Sequence, residues 1–189
     1  KDIMLDGVKF EAKNEKQALS QGIVYVSEDR KKEGLVLGMS VAKNVTISSL
    51  GRFSKGQLIN KKQEKESVLH YKDAMRIKTP SLDQSVKLLS GGNQQKVSIA
   101  KSLSTQPKIL IMDEPTRGVD VGAKKEIYEL MNEFKRNGLG ILMISSEIPE
   151  LLGVCDRIMV MSEGKIAGVL SRDKANTNEI MRLAIGAGV

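Results

Sequence analysis

From Ser90 to Ile144 the chain alternates helical periodicity with short apolar runs, and that alternation limits the fold more than any other feature. Val97, Ile99, Ala100 and Leu103 follow Ser90-Gly91-Gly92 at helical spacing. Ile109-Leu110-Ile111-Met112 is continuously apolar. Val121 to about Arg136 is helical again and closes at Asn137-Gly138, and Ile141–Ile144 is a second apolar run. A run without polar alternation reads as a strand buried on both faces. Helix–strand alternation around such strands predicts an α/β fold with a mostly parallel sheet covered on both sides.

Earlier and later segments add to this frame. Asp6-Gly7 between Ile3–Leu5 and Val8–Phe10 predicts a hairpin. Asn14 can cap a short helix reaching Leu19, and Ile23–Val26 reads as a buried strand. From Ser27 to Leu88 strand-like runs vanish and polar helical pattern takes over. Ser40 can cap a helix from Val41 to about Ser48, and Asn60 another from Lys61 to about Ile77, before Thr79-Pro80. Residues 28–88 therefore read as a helical subdomain inserted into an α/β core made of 1–27 and 89–189. Pro149 suits an early helical position, Glu163-Gly164 a hairpin turn, and Thr177 to about Ile185 a final helix.

Composition narrows the function classes. The 189 residues carry a formal charge of +7, with 40% hydrophobic and 28% charged residues, as in ordinary globular chains. The basic residues are scattered, the clusters Arg30-Lys31-Lys32 and Lys61-Lys62 being short, and the six aromatics leave little for base stacking. A solvated surface accounts for the charge better than nucleic acid does. A lone cysteine, Cys155, excludes an internal disulfide and fits a reducing compartment. No apolar run approaches the roughly 18 residues of a membrane span, and no secretory signal opens the chain. A start at Lys1 without Met suggests a fragment.

Two short segments carry chemistry. A helix head presents unpaired N–H groups and partial positive charge, so Ser90-Gly91-Gly92 can receive an anion, the glycines admitting close backbone approach. Gln94, Gln95 and Lys96 would extend a polar rim. The plain alternative is a serine cap with a glycine turn. Asp113-Glu114 ends an apolar strand at its carboxyl edge, where α/β proteins bind ligands. Asp113 can hold Mg²⁺ through water, and Glu114 can orient or deprotonate an attacking water. Here the alternative is an acidic strand-to-loop turn. No G-x-x-x-x-G-K-[ST] phosphate loop occurs in the chain.

Together these segments resemble the nucleotide-binding domain of ATP-binding cassette proteins. Leu89-Ser90-Gly91-Gly92-Asn93-Gln94-Gln95 is similar to the family signature, Ile109–Glu114 to its Walker B strand, and Thr116-Arg117-Gly118-Val119-Asp120 to its D-loop. The phrases Val26–Arg30 and Asp113–Gly122 resemble the second cassette of the tandem ATPase subunit of bacterial ribose, xylose and galactoside importers. The resemblance implies a P-loop NTPase-like cassette whose Walker A segment is missing here, with ATP and Mg²⁺ as ligands. It also implies a role for Ser90, Gly91, Gly92, Gln94 and Asp120 across a dimer interface, at ATP held by the partner cassette. Asp120 reads equally as a helix cap.

Two positions depart from the family pattern. Glu28 stands where the family has a Gln that senses Mg²⁺ and water, and Ser146 where it has a γ-phosphate-contacting His. His70, the lone histidine, is expected on the surface of the insertion. The resemblance thus implies a weak site of the chain's own, around Asp113, Glu114, Glu28 and Ser146, and a main contribution in trans. It further implies an ATPase powering uptake of a ribose-like monosaccharide, peripheral to the cytoplasmic face of the inner membrane. The partners would be the other cassette of the same subunit, transmembrane permease subunits and, indirectly, a periplasmic sugar-binding protein, with no nucleic acid. Met39, Val41 and Val45 are candidates for a permease groove or for packing of the arm. Two other classes remain: a soluble cassette ATPase of translation or DNA repair, and a non-catalytic regulatory cassette.

Overall fold

The computed structural model describes residues 3–56 and 58–186; Lys1 lies outside them. The chain divides into two compact units, with the boundary between Leu142 and Met143.

The first unit opens with antiparallel strands β1 (Met4–Leu5) and β2 (Val8–Lys9). Asp6 and Gly7 take φ of 50° and 77°, the pair of left-handed residues that matches strand twist in a two-residue hairpin. Asn14 caps α1 (Glu15–Ser20) by accepting from the Gln17 amide. β3 (Ile23–Val26) runs parallel to β6 (Ile109–Asp113), with Tyr25 opposite Ile111 and Val26 opposite Met112. With β7 (Gly140–Ile144) the sheet order is β3-β6-β7.

Burial separates the two faces of this sheet. Val26, Leu110 and Met112 are at most 2% exposed, whereas Tyr25 on the opposite face is 53% exposed. The expectation of helices on both faces is met fully on one. Continuous apolarity in Ile109–Met112 reports strands suited to burial on both sides; it does not report which segment supplies the second cover.

Residues 28–88 are largely helical, as expected, but carry a strand pair that their polar pattern hides. α2 (Val41–Thr46), capped by Ser40, continues as a 3-10 turn over Ile47–Phe53. Then β4 (Ser54–Lys55) and β5 (Leu58–Ile59) pair antiparallel before α3 (Lys61–Ala74), capped by Asn60. α3 stops three residues before the expected Ile77. Arg76 turns left-handed at φ 51°, and the Ile77 amide reaches back to the Lys72 carbonyl at 2.9 Å. Ile77 is 4% exposed there, the apolar burial that commonly accompanies a left-handed helix end. Val41 and Val45 are fully buried, so packing of the arm accounts for both, and only Met39 of the three groove candidates reaches the surface.

α4 (Gly91–Leu103) is the central element of this unit and packs against α2, α3, β3 and α5 (Val121–Arg136). α5 buries Ile127, Leu130 and Met131, one stripe at helical spacing. In the second unit, α6 (Ile148–Val154) and α7 (Thr177–Ala184) pack on the hairpin of β8 (Arg157–Ser162) and β9 (Lys165–Ser171). Ile158, Val160, Ile180 and Leu183 form its core. Among the described residues no helix is long and apolar enough to cross a membrane.

Candidate functional site

The head of α4 meets the head of α5. Ser90 is exposed and caps α4, its Oγ accepting from the Asn93 amide at 3.4 Å and from Asn93 Nδ2 at 3.1 Å. The amides of Gly91 and Gly92 donate to no acceptor among the described residues, as the first turn of a helix requires of them. The glycines also have a packing reason that the sequence does not disclose. A Cβ on Gly92 would lie 2.6 Å from the Ala123 Cβ, and one on Gly91 would lie 3.1 Å from the Gly118 carbonyl oxygen. Asp120 caps α5 by accepting from the Ala123 amide at 3.0 Å, so the capping alternative for that residue holds.

The polar rim expected of Gln94, Gln95 and Lys96 is not found; all three are at most 5% exposed. Gln94 Nε2 donates to the carbonyls of Val86 and Leu89, each at 3.2 Å, and Lys96 is paired with Glu126. The reason is tertiary. α2, α3 and α5 all pack against α4, and the pairing of Lys96 with Glu126 brings α5 to this part of it.

At the carboxyl edge of the sheet, Asp113 ends β6 and accepts the Tyr25 hydroxyl at 2.6 Å. That hydrogen bond, followed by burial and the charges of Asp113 and Glu33, raises the phenol above its ordinary 10.0. Sequence reasoning missed Tyr25. The available signal was register: in parallel strands a residue opposite Ile111 shares a face with Asp113 two positions on. Glu114 follows in a left-handed conformation at φ 43°, with its carbonyl accepting from the Arg117 amide at 3.0 Å. A non-glycine residue there costs about 1 kcal/mol and is worth noting at a candidate catalytic position. Among the described residues no group of three or more His, Cys, Asp or Glu is placed to hold a metal ion. Mg²⁺ characteristically takes one or two carboxylates and completes its shell with water and phosphate, so Asp113 alone fits that donor set.

Glu28 is ion-paired with Arg117. Arg30, expected with Lys31 and Lys32 on the surface, is 8% exposed and donates to the carbonyls of Arg117 and Gly118. The 28–30 segment and the 117–118 segment are thus joined twice. Ser146 is exposed in the second unit, between Ser145, whose Oγ donates to Glu150 at 2.8 Å, and Glu147. His70 is exposed on α3, edge-on to Tyr71, as expected. A cleft of about 450 Å³ lies elsewhere, at the amino ends of β3 and β6 beside Phe10, Gly22 and Lys108, and holds none of the candidate residues.

The comparisons agree with this architecture. A family profile described as "ABC transporter" matches residues 2–117. The chain is 54% identical over 186 residues to "Ribose import ATP-binding protein RbsA" of Clostridium perfringens (strain 13 / Type A), covering 98% of this chain and 37% of that protein. It therefore spans little more than a third of the length of the curated relatives it matches. Among solved structures, the ADP conformation of MJ1267, an ATP-binding cassette of an ABC transporter, superposes with a TM-score of 0.79 at 21% identity, over 98% of this chain and 76% of that one. CbiO1 from Clostridium perfringens, part of the ABC transporter complex cbiONQ, gives 0.76 at 23% identity, over 94% and 68%. These structural likenesses establish the cassette fold, and the profile match over more than half the chain establishes the family: this chain belongs to the ABC transporter family.

Proposed function

We propose that this chain is part of the second, C-terminal cassette of an ATPase subunit that powers uptake of a ribose-like monosaccharide. The 54% identity to a ribose import ATP-binding protein across nearly the whole chain supports the sugar reading. The exposed Ser90, at a helix head with two undonated amides, is the observation that carries the mechanism.

In this reading Ser90, Gly91, Gly92 and Gln94 close on ATP held by the other cassette of the same subunit, with Asp120 beside them. Ser90 and the two amides act on the anion directly. Gln94, buried and bonded to the Val86 and Leu89 carbonyls, holds the preceding turn. Asp113 would hold Mg²⁺ and Glu114 would orient water at a weaker site of the chain's own, with Glu28 bordering it. When bound, the metal supplies charge neutralisation for phosphoryl transfer to water. Residues 28–88 form the arm toward the permease, and Met39, 37% exposed, is its contact candidate. The subunit sits at the cytoplasmic face of the inner membrane, beside permease subunits that a periplasmic sugar-binding protein serves. The burial of Arg30 and Lys96 removes two cations from any surface that nucleic acid would meet.

The test uses the full-length subunit. Ser90→Ala lowers ATP turnover about 100-fold, and Glu114→Gln lowers it much less; equal losses refute the asymmetry. Brisk ATP turnover by the 189-residue chain alone contradicts a role in trans. A regulatory cassette without catalytic contribution is the second reading, favoured by the engagement of Glu28 with Arg117; it requires Ser90→Ala to leave turnover intact.

A further inference from the structure

Three glycines pack against the buried Arg30 side chain, two of them at its guanidinium. A Cβ on Gly91 would lie 3.0 Å from Arg30 Nη2, one on Gly118 3.7 Å from the same atom, and one on Gly34 3.2 Å from the Arg30 Cβ. Gly34 also lies against α4, where an added Cβ would meet Ser98 Oγ at 2.9 Å. Arg30 opens a π-helical turn, Arg30–Gly34, whose head Asp29 caps through the Lys31 and Lys32 amides. The base of the side chain thus lies against Gly34, which itself lies against α4. At its tip Nη1 donates to the Arg117 carbonyl at 2.8 Å and Nη2 to the Gly118 carbonyl at 3.1 Å.

We propose that Arg30 is a positioning residue: it ties the 117–118 segment to the head of α4, so that Ser90 and Asp120 are held in one geometry. This rests on the reading of Ser90 as an ATP-contacting group. The chemistry requires arginine. Two successive carbonyls point at one planar fork, and the fork answers both at once. Lysine would offer a single ammonium that cannot span them in the same way. Arg30 Nε has no partner among the described residues, so the two carbonyl bonds are what hold the buried charge. Gly118, at φ 66°, turns the second carbonyl inward, a conformation that an L side chain resists. Arg117, whose carbonyl is held, sends its own side chain back to Glu28. Displacement of the 28–34 turn, from which the helical insertion departs, would therefore move residues 117–120.

The experiment combines amide hydrogen exchange and steady-state kinetics on the full-length subunit, comparing Arg30→Met and Arg30→Lys with the unaltered protein. Arg30→Met removes two hydrogen bonds from a charged donor, the stronger class of such bonds. Arg30→Met should thus speed exchange in residues 114–120 at least about tenfold, while the interior of α4 keeps its protection. ATP turnover should fall about tenfold in kcat with KM for ATP within about twofold, as expected when geometry rather than ground-state binding is lost. Arg30→Lys should be intermediate in both readouts, and it carries the test alone if Arg30→Met does not fold. Unchanged exchange in 114–120 overturns the proposal. So does faster exchange with kcat preserved, or a loss confined to KM. If turnover proves independent of Ser90, the ATP reading fails, and the exchange result still decides whether Arg30 holds the segment.

Discussion

Gly92 of α4 lies against Ala123 of α5 so closely that one added methyl on Gly92 would sit 2.6 Å from the Ala123 Cβ. Real carbon–carbon contacts do not approach this distance, so Gly92→Ala must push the two helix heads apart. Overpacking of this kind costs about 2 kcal/mol. Removing the opposing methyl as well, in Gly92→Ala with Ala123→Gly, should recover more than half of the loss. Urea denaturation of the four proteins of this cycle measures the coupling; additive losses would show that the two positions do not clash.

The Tyr25–Asp113 hydrogen bond makes a prediction about titration. Asp113 raises the Tyr25 phenol, first by accepting its hydrogen bond and then by charge. Asp113→Asn should therefore bring Tyr25 ionisation back toward 10.0, whereas Glu33→Gln should move it less. A raised phenol contributes stability that is fully present below its unfolded value and lost as pH rises through the folded one. Spectrophotometric titration of tyrosinate, with Tyr25→Phe identifying the signal, reads both effects. An unshifted Tyr25 in Asp113→Asn would refute the assignment.

Local signals in the chain reported local structure well. Asn14, Ser40, Asn60, Ser90 and Asp120 each cap the helix that their side chains suit. Asp6-Gly7 and Glu163-Gly164 each turn a hairpin. What escaped notice depended on distant partners. Arg30 is buried because residues 117 and 118, almost ninety positions away, turn their carbonyls to it. Gln94 is buried against the Val86 and Leu89 carbonyls, and Lys96 against Glu126 and the Arg76 carbonyl. Glycine pairs are ambiguous for the same reason. Gly91-Gly92 reads as room for a ligand, and in the fold it is also room for Gly118 and Ala123. Side-chain chemistry is local to the sequence, whereas burial is a property of the packed neighbours.

Asn44 joins the arm to itself. It is fully buried, its Nδ2 lies within 3.0–3.3 Å of the carbonyls of Val36, Met39 and Ser40, and its Oδ1 accepts from the Val36 amide at 2.9 Å. Truncation strands buried backbone groups as well as opening a small void. Asn44→Ala should destabilise by about 3 kcal/mol. Asn44→Asp should be at least as damaging, since a carboxylate would face those carbonyls with no donor. Denaturation midpoints check the order; an Asn44→Asp protein as stable as the parent would show that the network contributes little.

Lys96 and Glu126 form an acid-dependent element of the first unit. The ammonium of Lys96 is nearly sealed from solvent and is held by Glu126 and, at 3.2 Å, by the Arg76 carbonyl. Hydrogen bonding to Lys96, then the charges of Lys96, Lys78 and Arg76, lowers the Glu126 carboxyl below its ordinary 4.5 against the opposing effect of desolvation. A depressed carboxyl contributes stability above its unfolded value and loses it as pH falls through the folded one. Glu126→Gln keeps an acceptor but leaves the buried cation without its counter-charge. It should cost about 2 kcal/mol near neutral pH, less than a fully buried pair because Glu126 is partly open to water. The gap between parent and variant should stay constant above about pH 5 and narrow as the carboxyl of the parent is protonated. Urea midpoints followed from neutral pH into acid measure it; a gap that persists undiminished in acid would mean that Glu126 acts by packing and not by charge.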